Sequence, residues 1–418
     1  MKGAQDPVQR CDSREWRHID LAGEESNTLQ RRISVIHVSY QDRRSGYPLS
    51  RLLAETAVAS FGIALLAIAL LANQRWLDRH FLPSFFLTRQ TYVLLETIVR
   101  CAIGVLGVLL ALVVRARIGQ VVARTPARVL HVAIAAALAL VASELVLRLV
   151  HLRPGEWLGR DQEPRRQADP RLGWTFVPSR TGHSAIGGRV VVYAFDSAGY
   201  RVRRADEPVD PARPALLFTG ESVMFGKGLS WEESIPAQVG AMLERESANL
   251  AVDGYGNDQA YLRVLAELPR FRRPVAVVAM FMTTLFGRNL DDDRPHLGPG
   301  LEWLPGVRHG RLRSLVQLVA PYRSDETVER GITVTREIFR ATVELAAARG
   351  ARPLILVPLF GPEDRVEQAL RRRILDEPGL PYVLVEIDPA WRVPGDVHPN
   401  ASAAHAIAAA VAARLARP

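Results

Sequence analysis

The stretch that decides the fold is Ala215–Gly228, ALLFTGESVMFGKG, in which an apolar run ends at Gly-Glu-Ser and a Gly-x-Gly follows. Three interpretations are open: a phosphate-binding loop, a nucleophile turn, and a strand followed only by a tight turn. A phosphate loop needs Gly-x4-Gly-Lys-Ser/Thr, so that backbone N–H groups and the lysine can hold phosphates. Here five residues separate Gly220 from Gly226, and Lys227 is followed by another glycine. The phosphate-loop interpretation is therefore excluded.

The nucleophile elbow Gly-x-Ser-x-Gly is excluded as well, because Met224 occupies the place of its second glycine. What remains is Ser222 at the carboxyl end of a strand, the edge at which open α/β sheets bind ligands. Ser222 could simply cap a helix. As a nucleophile it would need a base within hydrogen-bond reach and a carboxylate behind that base.

The segments after Ala215 alternate between two kinds. Short apolar runs such as ALLFTG, VAVVAMFM and PLILVPLF alternate with helix-spaced segments such as TREIFRATVELAAARG. This alternation predicts a parallel sheet, buried on both sides between helices. Residues 285–330 break the rhythm and are predicted to form an insertion near the ligand edge. Residues 151–213 are predicted to be a connector with some β-structure, including a hairpin around DSAG.

The chain has 418 residues, 48% of them hydrophobic, and the apolar residues concentrate between positions 52 and 150. Three apolar runs lie there, Thr56–Ala72, Cys101–Val114 and Val129–Ser143. A membrane helix needs about 20 mostly apolar residues, so we predict three transmembrane helices within residues 51–150. A soluble bundle of amphipathic helices is the alternative. Residues 1–50 mix both charge signs and are predicted to be a polar, disordered tail.

The net charge of +9 has two possible explanations, a nucleic-acid partner or a membrane protein with basic flanks. Many arginines adjoin the apolar runs, and no zinc or RNA-binding motif appears, so a lipid bilayer is the predicted partner rather than nucleic acid. Residues 115–128 carry four Arg and no acidic residue, whereas residues 73–92 carry three Arg and one Asp. This asymmetry predicts that residues 115–128 are cytoplasmic and that the chain after residue 151 lies outside the inner membrane, in a bacterial periplasm.

A base and a carboxylate occur near the end of the chain, in GDVHPN. There, Asp396 and His398 directly precede the last helical segment, so His398 could instead be a surface residue at a helix start. The backbone N–H of Gly254, in NLAVDGYG, is a candidate donor to an acyl oxyanion. Together with Ser222 these residues have the composition of a serine hydrolase site.

This set of motifs resembles the SGNH (GDSL-like) hydrolase family over roughly residues 169–418. FTGESVMFGKG is similar to the family's first block, with Ser222 at the nucleophile. NLAVDGYGNDQ is similar to its second block, with Gly254 at the oxyanion glycine. GDVHPN is similar to its last block, with Asp396 and His398 at the acid and base.

DPRLGWTFVPS and FDSAGYRVRR also resemble stretches upstream of this domain in membrane-tethered bacterial members. The resemblance implies a three-layer flavodoxin-like fold. It further implies ester hydrolysis or acyl transfer by double displacement, without a metal or another cofactor.

The sequence departs from the family pattern at three places. Glu221 replaces an Asp, and Asp396 stands two residues before His398 where many members have three. In the third block the family has an Asn that donates to the oxyanion, and this chain has Thr283 and Thr284 instead. The predicted oxyanion hole therefore consists of Ser222, Gly254 and one hydroxyl of the threonine pair, which donates only one proton.

The sequence thus predicts a membrane-anchored SGNH-type serine esterase, with the hydrolase-like domain at residues 214–418 and an acyl ester or acylated glycan as substrate. Two alternatives remain: an O-acyltransferase for a cell-envelope polysaccharide, and a catalytically inactive module of a membrane assembly. The run Asp291–Asp293 is predicted to be a solvated loop rather than a metal site. Arg288 and Arg294 could bind an anionic substrate, but are predicted to be surface residues.

Overall fold

The structure, a computed structural model, describes residues 48–83, 85–149 and 163–417. The predicted polar tail lies outside the described residues except for its last three, and so do residues 151–162 of the predicted connector. The chain divides into two compact units, which are described separately. One comprises Met1–Ala64 and Gly107–His131, and the other comprises Leu65–Leu106 and Val132–Pro418.

The N-terminal helices are α1 (Leu49–Leu71), α2 (Gln74–His80), α3 (Arg89–Val108), α4 (Arg115–Arg124) and α5 (Pro126–Leu149). A π-helical segment, Leu109–Val114, joins α3 and α4 into one continuous helix of 36 residues. Three of the helices in the described residues, α1, α3–α4 and α5, are long and apolar enough to cross a membrane. The prediction of three such helices between residues 51 and 150 is confirmed to that extent.

The predicted polar loop between the second and third apolar helices is largely helical instead. Helix continues through Arg124, and Thr125 alone separates α4 from α5. Proline lacks a backbone N–H and restricts the residue before it, so Pro126 ends one helix and begins the next. The arginines of residues 115–124 therefore extend along a helix rather than a loop.

Within the first unit, the helices approach each other closely at small residues. A Cβ added at Gly62 would lie 2.7 Å from the backbone oxygen of Gly107 and 2.7 Å from the backbone nitrogen of Ala111. Only glycine permits such backbone proximity, which is typical of helix pairs in membranes. Along α1, Arg51 Nε donates to Glu55 Oε1 at 2.8 Å, one helical turn away.

The rest of the second unit is an α/β domain. Its strands are β1 (Arg166–Asp169), β2 (Gly173–Phe176), β3 (Arg180–Ile186), β4 (Arg189–Phe195), β5 (Arg201–Val202), β6 (Pro214–Thr219), β7 (Glu246–Asn249), β8 (Arg273–Met280), β9 (His296–Leu297), β10 (Trp303–Leu304), β11 (Arg352–Leu359) and β12 (Tyr382–Glu386). Its helices are α6 (Ser222–Phe225), α7 (Ile235–Leu243), α8 (Asn257–Glu267), α9 (Arg311–Val319), α10 (Asp325–Ala348), α11 (Arg365–Arg371) and α12 (Ala401–Ala416), together with short 3₁₀ and π segments.

The main sheet has eight strands in the order β12-β11-β8-β6-β7-β5-β4-β3. From β12 to β7 all neighbouring strands are parallel. When the five parallel strands are numbered from 1 to 5 in chain order, starting with β6, their order across the sheet is 2-1-3-4-5, read from β7 to β12. The remaining strands, β5, β4 and β3, are antiparallel, and β4 and β5 form the hairpin predicted around DSAG. The segment predicted to be a connector therefore extends the same sheet.

Both faces of the sheet are covered, because alternate strand residues point to opposite sides. Leu216 and Phe218 of β6 pack in one cluster with residues of α6, α7 and α12. Ala215 and Leu217 pack in another cluster with residues of α8 and α10. The near-continuous apolar strands are thus explained by burial on both sides. The predicted insertion, residues 285–330, contains the β9–β10 hairpin and α9.

Candidate active site

Ser222 lies at the carboxyl end of β6, as the first residue of the four-residue helix α6. The residue that caps this helix is Glu221, whose carboxylate accepts a hydrogen bond from the Val223 N–H at 3.1 Å. The helix ends at Gly226, which has a left-handed φ of 84°. Since Glu221 serves as the cap, the hydroxyl of Ser222 is not needed for capping, although the side chain is buried.

His398 and Asp396 meet Ser222 from the loop between β12 and α12. Ser222 Oγ lies 2.9 Å from His398 Nε2, and His398 Nδ1 lies 2.5 Å from Asp396 Oδ1. His398 is only 5% exposed, so the alternative of a surface histidine is wrong. The hydrogen bond from the imidazole outweighs the effect of burial and lowers the pKa of Asp396 to about 2.

A tight turn explains how a carboxylate two residues from the histidine can reach the ring. Gly395 adopts a φ of 70°, and the Asp396 N–H donates to the Val393 carbonyl at 2.9 Å. The N–H of Val393 in turn donates to the His398 carbonyl at 2.8 Å. Asp396 Oδ1 accepts from both the backbone N–H and the ring of His398, at 2.8 and 2.5 Å. One carboxylate oxygen therefore binds both the backbone and the ring of His398.

The Ser222 hydroxyl has two neighbours that can accept its single proton. Besides His398 Nε2, Glu221 Oε2 lies 2.6 Å from Ser222 Oγ. With Asp396 accepting from Nδ1–H, the free lone pair of His398 is at Nε2 and faces Ser222. Glu221 is consequently a competitor of His398 for the serine proton, a feature that the sequence analysis did not foresee.

Gly254 lies on the segment that follows β7. The N–H of Leu250 donates to the Phe218 carbonyl at 2.8 Å, and the N–H of Val252 donates to the Gly220 carbonyl at 3.2 Å. This segment therefore runs next to the end of β6. Gly254 has a φ of 88°, and a Cβ there would lie 3.3 Å from Trp174 Cζ2. Both the conformation and the ring thus favour glycine at this position.

Neighbouring charges fix the Gly254 segment. Asp253 Oδ2 accepts from Arg166 Nη2 at 3.0 Å and from Lys227 Nζ at 3.1 Å. Burial alone would raise the pKa of Asp253, but Lys227 and Arg166, with smaller contributions from His398 and Arg288, hold it below its usual range. Lys227 follows α6, so this carboxylate ties the Gly254 segment to the turn after Ser222.

Thr283 and Thr284, the predicted replacements for the third-block Asn, begin a 3₁₀ helix after β8. The Thr283 hydroxyl donates to Glu367 Oε1 at 3.1 Å, and Thr284 is half-buried. Asn257 and Asn289 bind each other instead of Ser222, because Asn289 Nδ2 donates to Asn257 Oδ1 at 2.8 Å. The role of the threonine pair stays a prediction, and the Thr283 hydroxyl is engaged elsewhere.

Two arginines of the same region are not the surface residues that the sequence analysis predicted. Arg294 is buried and forms an ion pair with buried Asp258 at 3.0 Å. Arg288 is 20% exposed, and its Nη1 lies 3.9 Å from Glu221 Oε2. Buried arginines are normally paired with carboxylates from other elements. No local pattern in RNLDDDRPH distinguishes these two residues from exposed arginines.

A further arginine supports the turn behind Ser222. Arg201, on β5, donates from Nη1 to the carbonyls of Phe225 and Gly226 at 2.6 and 2.8 Å, and from Nη2 to the Leu229 carbonyl at 2.6 Å. Its guanidinium also lies 4.9 Å from the ring centroids of Tyr193 and of Phe225. Burial lowers the pKa of Arg201 to about 10, so the side chain is charged at neutral pH.

An aromatic side chain from the N-terminal region also contacts the site. Phe85, in the loop between α2 and α3, is 7% exposed, and its ring centroid lies 5.6 Å from that of His398 in an edge-on arrangement. Phe360 lies 5.8 Å from the Phe85 ring, and Arg392 stacks on both rings at 5.2 and 4.2 Å. Sequence reasoning missed Phe85, because nothing in the loop indicates a contact more than three hundred residues away.

The same loop is tied to the α/β domain at its two ends. At its start, His80 Nδ1 donates to the Arg323 carbonyl at 2.8 Å, and the Arg323 N–H donates to the His80 carbonyl at 2.9 Å. At its end, Arg89 Nε lies 3.4 Å from Asp364 Oδ2. These contacts hold Phe85 against the imidazole.

Two carboxylates of the acidic run Asp291–Asp293 contact basic side chains. Asp291 pairs with Arg323 at 2.5 Å, and Asp292 pairs with His309 at 2.7 Å. Over residues 48–83, 85–149 and 163–417, no group of three or more His, Cys, Asp or Glu side chains is arranged to hold a metal ion.

No protein-family model matches the chain, and no curated protein matches it. Similar solved structures include a protein assigned to the G-D-S-L family of lipolytic proteins from Desulfitobacterium hafniense, at 14% identity and a TM-score of 0.31, covering 48% of this chain and 98% of that one. Another is an acetyl xylan esterase from the rumen bacterium Butyrivibrio proteoclasticus, at 12% identity and a TM-score of 0.32, covering 50% of this chain and 65% of that one.

A third similar structure is a carbohydrate acetylesterase family member from Sinorhizobium meliloti, at 15% identity and a TM-score of 0.28, covering 48% of this chain and 97% of that one. These names describe those proteins.

Proposed function

We propose that this chain is a membrane-anchored serine esterase of SGNH type, whose domain from residue 214 onward is a three-layer flavodoxin-like unit. The observation that carries the proposal is the relay from Ser222 Oγ through His398 to Asp396, with distances of 2.9 and 2.5 Å. The strand order 2-1-3-4-5, with helices on both faces, supports the flavodoxin-like part of the proposal.

In the proposed mechanism His398 Nε2 takes the proton of Ser222 Oγ as that oxygen bonds to the acyl carbon. The carbonyl π electrons move to oxygen, and the N–H groups of Ser222 and Gly254 donate to the resulting oxyanion. The ester C–O bond then breaks, and the leaving oxygen receives the proton from His398. Water repeats the sequence on the acyl-serine and releases the acid. Asp396, ionised because of its lowered pKa, stabilises the imidazolium in both halves.

We further infer that the catalytic domain lies on the extracytoplasmic side of a bacterial inner membrane. In this proposal two crossings, α3–α4 and α5, separate the loop between α1 and α3 from the C-terminal domain. The loop and the domain are therefore on the same side of the membrane. The contacts of His80 with Arg323 and of Phe85 with His398 support this part of the proposal. The arginines at positions 115, 117, 124 and 128, at the other end of the helices, favour the cytoplasm for that end.

A second candidate function, O-acyl transfer to a glycan, is favoured by one observation. Phe85 and Phe360 form an apolar wall beside His398, and Phe85 comes from the loop between two apolar helices. Such a wall suits an acyl chain delivered from the bilayer. In that case a sugar hydroxyl would replace water in the second half-reaction, and adding an acceptor glycan would accelerate turnover of the acyl donor.

The experiment that tests the proposal follows hydrolysis of a short-chain aryl ester by the full-length protein in detergent. Ser222→Ala is the essential variant, and Ser314→Ala, in the distant helix α9, is the matched control. Activity that disappears in Ser222→Ala and persists in Ser314→Ala supports the esterase. Equal rates in the wild type and in Ser222→Ala, with and without an acceptor glycan, would leave the inactive module as the better explanation.

A further inference from the structure

The proposed oxyanion hole has backbone donors from Ser222 and Gly254, and the following inference rests on that proposed function. The third position is where the sequence analysis placed Thr283 and Thr284. The Thr283 hydroxyl is already donated to Glu367, 3.1 Å away on α11. A hydroxyl that makes this bond has no second proton for an oxyanion. A third hydrogen bond must therefore come from Thr284, which is half-buried, or from a donor outside the threonine pair.

Arg288 is a charged donor near Ser222. Its Nη1 is buried and has no hydrogen-bond partner among the described residues. Nη1 lies 3.9 Å from Glu221 Oε2, and this oxygen lies 2.6 Å from Ser222 Oγ. A buried, unpaired N–H of a guanidinium is costly, so it is expected to have a partner at some stage of function.

One contact and one electrostatic effect relate Arg288 to the two halves of the proposed hole. The ion pair with Glu221 places the guanidinium beside the residue before Ser222. Its positive charge also contributes to the lowered pKa of Asp253, the residue before Gly254. The guanidinium is therefore near both segments that carry the backbone N–H donors.

Hydrogen bonds of neighbouring residues hold the backbone of Arg288 in place. Arg294 Nη2 donates to the Arg288 carbonyl at 2.7 Å, and Arg294 itself is held by Asp258. The next residue, Asn289, is bonded to Asn257 and to Thr335, at 2.8 and 3.0 Å. The fixed backbone limits the region that the guanidinium can reach to the surroundings of Glu221 and Ser222.

We propose that Arg288 is a catalytic residue that supplies the third oxyanion donor through Nη1, in the place where the family pattern has an Asn side chain. As Ser222 Oγ bonds to the acyl carbon and its proton passes to His398, the carbonyl electron pair moves to oxygen. Nη1–H donates to that oxygen in addition to the two backbone N–H groups. When the leaving group departs with the proton from His398, the carbonyl reforms and the hydrogen bond weakens. Arg288 keeps its proton throughout.

The test uses the full-length protein in detergent with a short-chain aryl ester and a boronic acid, whose adduct on serine mimics the tetrahedral oxyanion. The variants are Arg288→Ala, Arg288→Lys, Glu221→Gln, the double variant Glu221→Gln/Arg288→Ala, and Ser222→Ala. Arg308→Ala is the control, because Arg308 is an exposed residue of the same insertion. We expect Arg288→Ala to lower kcat by about 100- to 1000-fold with little change in KM. Boronic acid affinity should fall in parallel, and Arg288→Lys should recover part of the loss.

Several outcomes would overturn the role of Arg288 and leave the esterase intact. One is Ser222-dependent activity that is unchanged in Arg288→Ala. Another is a rise in KM alone in Arg288→Ala, which would mean that Arg288 contributes to substrate binding rather than to the oxyanion hole. A third is recovery of the double variant to the level of Glu221→Gln, which would mean that Arg288 only neutralises Glu221. Equal rates in the wild type and in Ser222→Ala would instead overturn the proposed function, and the role of Arg288 with it.

Discussion

Replacing Arg201 by methionine tests whether a buried charge on β5 stabilises the turn behind Ser222. Three charge-assisted hydrogen bonds to backbone carbonyls are lost, at about 2 kcal/mol each, or about 6 kcal/mol in all. The free-energy cost of burying the Arg201 guanidinium offsets part of this contribution. Burial lowers its pKa to about 10 and leaves its Nε without a partner among the described residues. This lowering of the Arg201 pKa corresponds to a burial cost of about 3 kcal/mol. The net loss for Arg201→Met is therefore about 3 kcal/mol, since methionine keeps much of the contact with the rings of Tyr193 and Phe225.

The assay is urea unfolding of the full-length protein in detergent, followed by tryptophan fluorescence and far-ultraviolet circular dichroism. Arg203→Met is the matched control, because Arg203 lies two residues further on and its side chain is 67% exposed. It pairs with Glu232 at the surface and is expected to contribute less than about 1 kcal/mol. A loss below about 1 kcal/mol in Arg201→Met would refute the reasoning that the carbonyl bonds outweigh the burial cost.

Three further predictions follow from other contacts. Asp396→Asn should lower esterase activity by on the order of 10⁴-fold. Because the pKa of Asp396 is about 2 and thus below its unfolded value, the carboxylate stabilises the fold above pH 4 and loses this contribution toward pH 2; a large defect should therefore persist at both pH 5 and pH 8, and its disappearance at pH 5 would contradict the lowered pKa. Phe85→Ala should reduce kcat/KM about 3- to 10-fold through loss of the aromatic contact with His398, whereas Leu87→Ala, in the same loop at a position 41% exposed, should have no effect; equal rates in the two variants would argue against the wall. Arg294→Met leaves a buried carboxylate without its partner and should lower the urea-unfolding free energy by about 3–5 kcal/mol, and a change below 1 kcal/mol would show that the pair is dispensable.

The parts of the structure that could be predicted from the sequence are those with local causes. The apolar runs ALLFTG and PLILVPLF became parallel strands, because continuous apolar side chains need burial on both faces. Ser222 was singled out because it follows β6, at the edge where the ends of parallel strands meet, and His398 because it stands beside Asp396 just before the last helix. The proximity of Ser222, His398 and Asp396 was expected from this topology together with the motif resemblance.

The parts that could not be predicted depend on partners distant in the sequence. The burial of Arg201 and Arg294 is possible only because carbonyls and a carboxylate from other elements surround them. The contact of Phe85 with His398 depends on how a loop folds back onto the domain. Helix continued through Arg124 because no proline intervenes before Pro126, although the charge pattern indicated a loop.

Under the proposed function, the loop that carries Phe85 makes the N-terminal helices more than a membrane tether. A chimera in which residues 48–149 are exchanged for an unrelated membrane anchor would keep the domain at the bilayer and keep Ser222, His398 and Asp396. It would lack the ring that packs on the imidazole. The same holds for a secreted version that begins at residue 163. In a genetic screen, substitutions in the α2–α3 loop would then have the phenotype of active-site lesions while leaving membrane insertion and protein abundance normal.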